Sequence, residues 1–184
     1  MQNSTEDVLV EALELVLQKK PIDKVTVKDI VNECNLTRQT FYNHFSDIYE
    51  LVEWTARQAT ERALNNVADY DNWQKGFYDL MLIIKANKVI IDNTYRSAYR
   101  DLMEKHIYEI IYSYIIVVVE NQATGMAVDQ KHKDFIAHFY SLAFIALIFE
   151  WVKDGMKDDP QEIVDQTGVL VQGDFKKALK KYAK

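Results

Sequence analysis

The stretch of sequence that decides the fold runs from Val25 to Leu51 and reads VTVKDIVNECNLTRQTFYNHFSDIYEL. Its first part predicts a short helix, because Thr26 can cap that helix and Asp29, three residues later, completes a capping box. Asn35 follows, and asparagine tolerates the left-handed backbone that a tight turn between helices requires. Thr37 can then cap a second short helix. The stretch therefore predicts two short helices joined by a tight turn.

The second predicted helix, from Arg38 to about His44, has the two faces that a DNA-reading helix needs. Phe41 and Phe45 are four residues apart, so they lie on one face and would hold the helix against a core. The other face carries polar side chains. Because the major groove of DNA admits one helix and its base edges offer hydrogen-bond donors and acceptors, this outer face is a candidate reader of DNA.

The candidate DNA-binding residues divide by the part of DNA that their side chains suit. Arg38 suits guanine, whereas Gln39 and Asn43 suit adenine. Hydroxyl and imidazole groups suit phosphates, as do the backbone amides at the start of the first helix. Tyr42 could instead be a core tyrosine, and His44 could only cap or pack. The candidate set is Thr26, Lys28, Thr37, Arg38, Gln39, Thr40, Tyr42, Asn43 and His44.

This stretch resembles the DNA-binding domain of the tetracycline-repressor (TetR) family of bacterial regulators. The resemblance rests on Thr26-Val-Lys-Asp-Ile30, on a turn that ends in Thr37, on Thr40-Phe-Tyr-Asn-His-Phe45, and on Leu51. It implies a transcriptional regulator that binds a palindromic operator of double-stranded DNA as a homodimer. In this family the regulator is usually a repressor, and a small-molecule effector in the C-terminal domain relieves the repression.

The resemblance also implies an all-α fold with two domains. Residues 1–50 would form the N-terminal three-helix domain with the helix-turn-helix. Residues 51–184 would form a C-terminal helical bundle that binds the ligand and dimerises. We expect Phe144, Leu147 and Trp151 at the dimer interface, since aromatic residues are enriched in such interfaces.

Three residues depart from the family pattern. Asn35 stands where members usually have glycine, and asparagine is the best substitute in that turn. Val31 stands where many members have a small alanine, which predicts slightly different helix packing. Ile48 stands where many members have a lysine that touches phosphate, which predicts weaker non-specific affinity for DNA.

The C-terminal part resembles the branch of the family that regulates dihydroxyacetone kinase. In that branch a protein co-regulator acts instead of a free metabolite. The alternative function is therefore an interaction module, or an activator, controlled by a protein co-regulator. The overall acidity, with a net charge of −6, and Ile48 keep this alternative open. Residues 1–68 alone hold 7 Lys and Arg against 11 Asp and Glu.

Helical patterns also cover the rest of the chain. Residues 107–119 are rich in β-branched and aromatic residues, which favour strands, but no partner strand is present and the flanking sequence forms helices. We therefore expect a helix there. The predicted helices span residues 6–18, 47–68, 73–86, 95–122, 129–155 and 160–181, with a polar connection at 69–72, a short helix or turn at 88–94, and pattern breaks near Gly168 and Gly173.

Composition excludes several classes of protein. The 184 residues include only 5 Gly and 2 Pro, which disfavours a sheet protein with many turns. The single cysteine, Cys34, cannot form an internal disulfide, and the N-terminus has no signal-peptide pattern. A cytoplasmic location is therefore expected. The apolar run Phe135–Phe149 is shorter than the about 20 residues of a membrane span, so a buried helix is expected there.

No catalytic motif and no glycine-rich phosphate loop occurs in the sequence, so an enzyme is not expected. No cofactor is expected either. The histidines are scattered, and His138 lies in an apolar helix, so no metal site is expected. The middle of the chain is aromatic, which suits either a ligand pocket or a plain core. The candidate ligand-binding residues are Trp73, Phe77, Tyr95, Tyr99, Tyr112 and Tyr140.

Overall fold

Ten α-helices and one short 3-10 helix, Ile22–Lys24, make up the part of the chain that the computed structural model describes, residues 4–64 and 73–183. No strand occurs within those residues. The predicted all-α fold class is confirmed. The helices are α1 Thr5–Leu17, α2 Val27–Glu33, α3 Arg38–Tyr42, α4 Ile48–Leu64, α5 Trp73–Ala86, α6 Lys88–Tyr95, α7 Arg100–Gln122, α8 Gln130–Lys153, α9 Pro160–Val171 and α10 Asp174–Tyr182.

Side-chain caps fix where the N-terminal helices begin. At α2 the predicted capping box is present: the Thr26 side chain accepts from the Asp29 backbone amide, and the Asp29 carboxylate accepts from the Thr26 amide at 2.8 Å. The side chain of Ser4 caps α1 in the same way, with Asp7. Such caps satisfy amide groups that the helix itself leaves without partners. The sequence therefore sets these helix starts locally.

The long β-branched segment inside α7 is helical, as predicted. The start of that helix was predicted wrongly, at Tyr95, because a turn separates α6 from α7. The Ser97 hydroxyl donates to the Thr94 carbonyl at 2.9 Å and accepts from the Tyr99 amide at 3.1 Å. A serine side chain that bonds to nearby backbone competes with a continuing helix. The α6 helix therefore ends at Tyr95 and α7 begins at Arg100.

The last predicted helix is two helices, α9 and α10. The chain breaks at Gly173, which has a left-handed backbone with φ of 77°. Glycine adopts this conformation without the steric cost that a Cβ atom brings. Gly168, the other expected break, lies inside α9. The predicted end of the fourth helix, near residue 68, and the polar connection at 69–72 lie outside the described residues.

The described chain forms two compact units, and their boundary differs from the one expected at residue 50. The first unit comprises residues 4–59 and 87–103, and the second comprises residues 60–64, 73–86 and 104–183. The α6 helix belongs to the first unit because it packs on α1. There the Asn93 amide donates to the Leu17 carbonyl at 3.5 Å. Leu102, at the start of α7, is buried in the same core.

Each unit has its own apolar core. In the first unit, α1 to α4 bury Leu9, Ile30, Phe41 and Leu51 completely. In the second unit, the Phe144 ring packs on Trp73 and Phe77, with centroid distances of 4.9 and 4.8 Å. The first core fixes the positions of α2 and α3, the two helices predicted to meet DNA.

Candidate nucleic-acid interface

The turn between α2 and α3 has the geometry expected from Asn35. That residue has φ of 55°, in the left-handed region. The Leu36 amide then donates to the Val31 carbonyl at 2.9 Å, which closes the end of α2. Asparagine tolerates this backbone better than other side chains, so the family's turn is kept without glycine. Thr37 follows as the cap of α3 and accepts from the Thr40 amide at 3.0 Å.

An aromatic cluster holds the inner face of α3. Phe41 is completely buried, and its ring lies 5.9 Å from that of Phe45. Phe45 in turn contacts Trp54 of α4 at 6.0 Å, edge to face. Aromatic contacts of this kind add to the stabilisation that comes from burying the rings. The short helix is therefore fixed by its core face, which leaves its other face outside.

The structure places all nine candidate DNA-binding residues on α2, α3 and their flanking residues. Thr40 is half-buried and the other eight are exposed. Tyr42 is 53% exposed, so it is not a core tyrosine. Its ring meets Phe41 edge to face at 5.6 Å, which orients it without burying it. The candidate DNA-reading face thus consists mostly of exposed side chains on a buried aromatic support.

His44 has a partner that the sequence did not suggest. Its Nδ1 lies 2.9 Å from a carboxylate oxygen of Glu6, in the first turn of α1. A hydrogen bond from the Glu6 backbone, followed by those from the side chains of His44 and Ser4, lowers the pKa of Glu6 below its ordinary value. The carboxylate accepts, so Nδ1 donates. The contact fixes the end of α3 against α1 and leaves Nε2 of His44 for another partner.

The side chain of Gln39 in α3 is joined to that of Asn43, the residue that follows the helix. The Gln39 amide nitrogen donates to the Asn43 amide oxygen at 3.0 Å. The residues are four apart, so they lie on one face of the helix. Both are exposed.

Two lysines that follow α1 pair with acids of α2. Lys20 lies 2.6 Å from Asp29, and Lys19 lies 2.6 Å from Glu33. These pairs reduce the negative potential beside the reading face, although exposed pairs contribute little to stability. Lys24 and Lys28 are exposed on the same unit, which gives it local positive charge in an acidic chain.

The contacts of Asp29 should make the first unit sensitive to acid. The hydrogen bond from Lys20, followed by those from the Thr26 side chain and backbone, lowers the pKa of Asp29 from 3.8 to about 2. A carboxyl with a lowered folded pKa stabilises the fold above its unfolded pKa, and that contribution is lost as the pH falls from about 4 to about 2. We expect the melting temperature of the parent to fall more steeply over this range than that of Asp29→Asn. Equal slopes in thermal melts would contradict this origin.

The structure does not gather the six candidate ligand-binding residues in one place. Trp73 and Phe77 line a cavity of the second unit with a volume of about 10 Å³, which is room for about one water molecule. Tyr112 donates to Asp134 at 3.4 Å, and Tyr140 packs edge to face on Phe175 at 4.5 Å. The remaining two, Tyr95 and Tyr99, belong to the first unit.

The cavity is small because aromatic rings fill it. Tyr114 contributes one wall, and its ring lies so close to Gly76 that a Cβ atom there would be 3.1 Å from the ring. The stacked rings of Phe77 and Phe144 form another part of the lining. A ligand of metabolite size would have to displace these rings.

Two of the three residues expected at a dimer interface are buried inside a single chain. Phe144 is 2% and Trp151 is 3% exposed, and the Trp151 indole donates to the Asp158 carbonyl at 3.0 Å. Their burial removes them as accessible surface for a second copy. Leu147 remains, 36% exposed.

Exposed apolar residues lie on α8 and α9, and of these the sequence reasoning selected only Leu147. On α8, Phe135, Phe139 and Leu142 recur at four- and three-residue spacing, so they share one side of the helix. On α9, Val169 and Leu170 are each 78% exposed. We call these residues the apolar patch: Phe135, Phe139, Leu142, Leu147, Val169 and Leu170.

The α8 helix is long and apolar enough to cross a membrane by length and composition, with a mean hydropathy of 1.8 over 18 residues. Half of that window is buried inside the structure. Its buried side includes Ile136, Phe144 and Ile148. Core packing therefore accounts for much of its apolar character.

Within residues 4–64 and 73–183, no group of three or more histidine, cysteine, aspartate or glutamate side chains could hold a metal ion. Cys34 is free and half-buried, and its thiol donates to the Ile30 carbonyl at 3.3 Å. Burial raises the pKa of this thiol. It therefore has the properties of a small buried side chain and not of a reactive thiolate.

Two family models match the chain. Residues 9–54 match the model of the bacterial regulatory proteins of the tetR family. Residues 71–173 match a TetR model described as a transcriptional regulator C-terminal region. The first match covers the helix-turn-helix described above. The second covers more than half of the chain.

Individual relatives agree with these matches. The chain is 22% identical over 157 residues to the HTH-type dhaKLM operon transcriptional activator DhaS of Lactococcus lactis, covering 82% of this chain and 81% of the relative. Among solved structures, a dihydroxyacetone kinase operon activator DhaS superposes with a TM-score of 0.75 at 20% identity, over 98% of both chains. The fatty acid degradation regulator FadR of Bacillus halodurans gives 0.66 at 13% identity, over 94% of this chain and 97% of that one.

Proposed function

The chain belongs to the TetR family of bacterial regulatory proteins, and on that premise we propose that it binds a palindromic operator as a homodimer and represses transcription there. It is a transcriptional regulator with a DNA-binding N-terminal domain and a C-terminal domain of the ligand-binding type. Its operator is double-stranded DNA, so its place of action is the cytoplasm. The resemblance that the sequence carried from Thr26 to Leu51 is thereby confirmed at the level of the family.

The observation that carries the proposal is the exposed polar face of α3 on a buried aromatic support. Arg38, Gln39 and Asn43 are exposed, while Phe41, which anchors the same helix, is fully buried. A helix that reads the major groove needs this combination, because base edges are read by polar side chains that a rigid scaffold holds in register.

Selection of binding sites from random duplexes tests the proposal. A two-fold symmetric dimer should enrich an inverted repeat whose half-sites are about one helical turn, or a multiple of it, apart. Enrichment of a single unrepeated motif would contradict the dimer, and no enrichment would contradict sequence-specific DNA binding.

The apolar patch supports the homodimer. Exposed apolar surface commonly marks an interaction site, and Phe139 and Leu142, on one side of α8, are 58% and 48% exposed. A C2 dimer uses the same surface of both copies, so one patch is sufficient. We propose the apolar patch, in place of Phe144 and Trp151, as the dimer contact.

Leu142→Glu should convert the dimer to a monomer at micromolar concentration, because the dimer would bury two unpaired charges. The matched control is Leu82→Glu on α5, where the parent leucine is 41% exposed and lies outside the apolar patch. Sedimentation of the two variants makes the comparison. A dimeric Leu142→Glu protein, or an equally disrupted control, would contradict the placement.

A second candidate function is an activator controlled by a protein co-regulator. The cavity of about 10 Å³ favours it, since a metabolite of ordinary size does not fit there. The similar DhaS protein of L. lactis is named a transcriptional activator. Transcription in vitro from a template that carries the selected operator separates the candidates: a repressor lowers the amount of transcript, and an activator raises it.

A further inference from the structure

We propose that Gln39 and Asn43 form one reading unit, in which Gln39 binds an adenine of the operator and Asn43 positions Gln39 without reading a base of its own. The inference rests on the proposed function, because it concerns how the operator is read. It assigns different roles to two amides that the sequence alone made equivalent adenine readers.

The two residues are joined twice along the helix. The Asn43 backbone amide donates to the Gln39 carbonyl at 3.0 Å, and the Gln39 side-chain nitrogen donates to the Asn43 side-chain oxygen at 3.0 Å. Both side chains are exposed. The side-chain bond therefore runs along the outer face of α3 and restrains the end of the longer side chain.

The groups left on Gln39 are those that adenine requires. A glutamine amide has two N–H donors and one acceptor oxygen. After one N–H is given to Asn43, one donor and the oxygen remain. Adenine offers an acceptor at N7 and a donor at N6 in the major groove. The bond to Asn43 is thus compatible with two-point recognition of adenine, and it selects the orientation of the amide that such recognition uses.

Asn43 is placed to support and not to read. Its amide oxygen points toward Gln39, whereas an asparagine that reads adenine directs its oxygen toward the N6 donor of the base. It also caps the C-terminal end of α3, while Gln39 is the second residue of that helix. Residues near the start of a reading helix are the ones that contact base edges.

A double-mutant cycle tests the assignment. Gln39→Ala, Asn43→Ala and the double variant are measured by competition anisotropy against duplexes in which each half-site position carries each of the four bases. The parent should prefer adenine at one position by roughly 5- to 150-fold, the range expected of a good two-point contact. Gln39→Ala should abolish that preference. Asn43→Ala should reduce it at the same position and at no other, and the double variant should match Gln39→Ala.

Two further variants separate positioning from general damage. Asn43→Asp keeps an acceptor for Gln39, so it should retain the adenine preference although the added charge weakens binding to every duplex. Asn32→Ala changes an exposed asparagine of α2 that has no bond to Gln39, and it should leave the preference unchanged. Thermal melts of each variant check that the fold is kept.

The outcomes distinguish failure of this inference from failure of the proposed operator-binding function. If Asn43→Ala removes the preference at a second position and the two effects add, Asn43 reads its own base and the inference is wrong while the function stands. If Asn43→Asp loses the adenine preference as fully as Asn43→Ala, positioning through the acceptor oxygen is excluded. A parent with no base preference at any position would overturn both the inference and the proposed function.

Discussion

Phe41→Ala is expected to destabilise the first unit by about 3–5 kcal/mol, the usual cost of removing a buried phenylalanine ring. Phe41 is completely buried, and the centroid of its ring lies 5.9 Å from that of the Phe45 ring. Its loss leaves a cavity under α3 and removes the buried ring that holds this helix in place. Chemical denaturation followed by circular dichroism measures the change in the free energy of unfolding.

Tyr42→Ala is the matched control for that loss. It removes a neighbouring aromatic ring of similar size, but one that is 53% exposed. Its cost should therefore be clearly smaller. If the two variants unfold at the same denaturant concentration, or if Phe41→Ala is as stable as the parent, the proposed support of α3 is wrong.

Arg38→Ala is expected to weaken binding to the cognate operator by about 1–3 kcal/mol and to relax the preference for guanine at one position. Arg38 is exposed as the first residue of α3, where its guanidinium can make two hydrogen bonds to a guanine edge. Competition anisotropy with single-base operator variants measures both effects.

Arg38→Lys separates base reading from charge. Lysine keeps the positive charge but lacks the planar two-donor geometry of arginine. We expect it to lose much of the guanine preference while keeping most of the affinity for scrambled DNA. Binding of Arg38→Ala that equals that of the parent on every duplex would show that another side chain is the reader.

The local features of the first unit were predictable because each depends on residues close in sequence. Thr26 and Asp29 cap α2 through a three-residue motif, and Asn35 supplies the turn by its own backbone preference. The Glu6 contact of His44 spans 38 positions. No local pattern pairs those two residues, so only the packed fold reveals it.

Which side of α8 is buried and which is exposed could not be predicted from sequence. Its apolar residues surround the helix, and periodicity then gives no direction for the core. Packing against α5 turns Phe144 inward, toward Trp73 and Phe77, and leaves Phe139 and Leu142 outside. Sequence alone therefore could not show that Phe144 and Trp151 are buried in the core of the chain.

The places of the candidate ligand-binding tyrosines could not be predicted either, because they too depend on how the helices pack. Their spacing in sequence does not determine which of them point into one cavity. Tyr99 stacks on Tyr49 of α4, with centroids 5.5 Å apart, inside the first unit. Tyr114, which does line the small cavity, was not selected because its contact with Gly76 depends on how α5 and α7 pack.

The measurement that tests the central claim most directly is fluorescence anisotropy of the full-length protein with its selected operator and with a scrambled duplex, at two salt concentrations. We expect the operator to bind more tightly than the scrambled duplex by a factor of about 10³ or more, with affinity for both falling as salt rises. Equal affinity for the two duplexes at both salt concentrations would contradict the claim that this chain reads DNA sequence through α3.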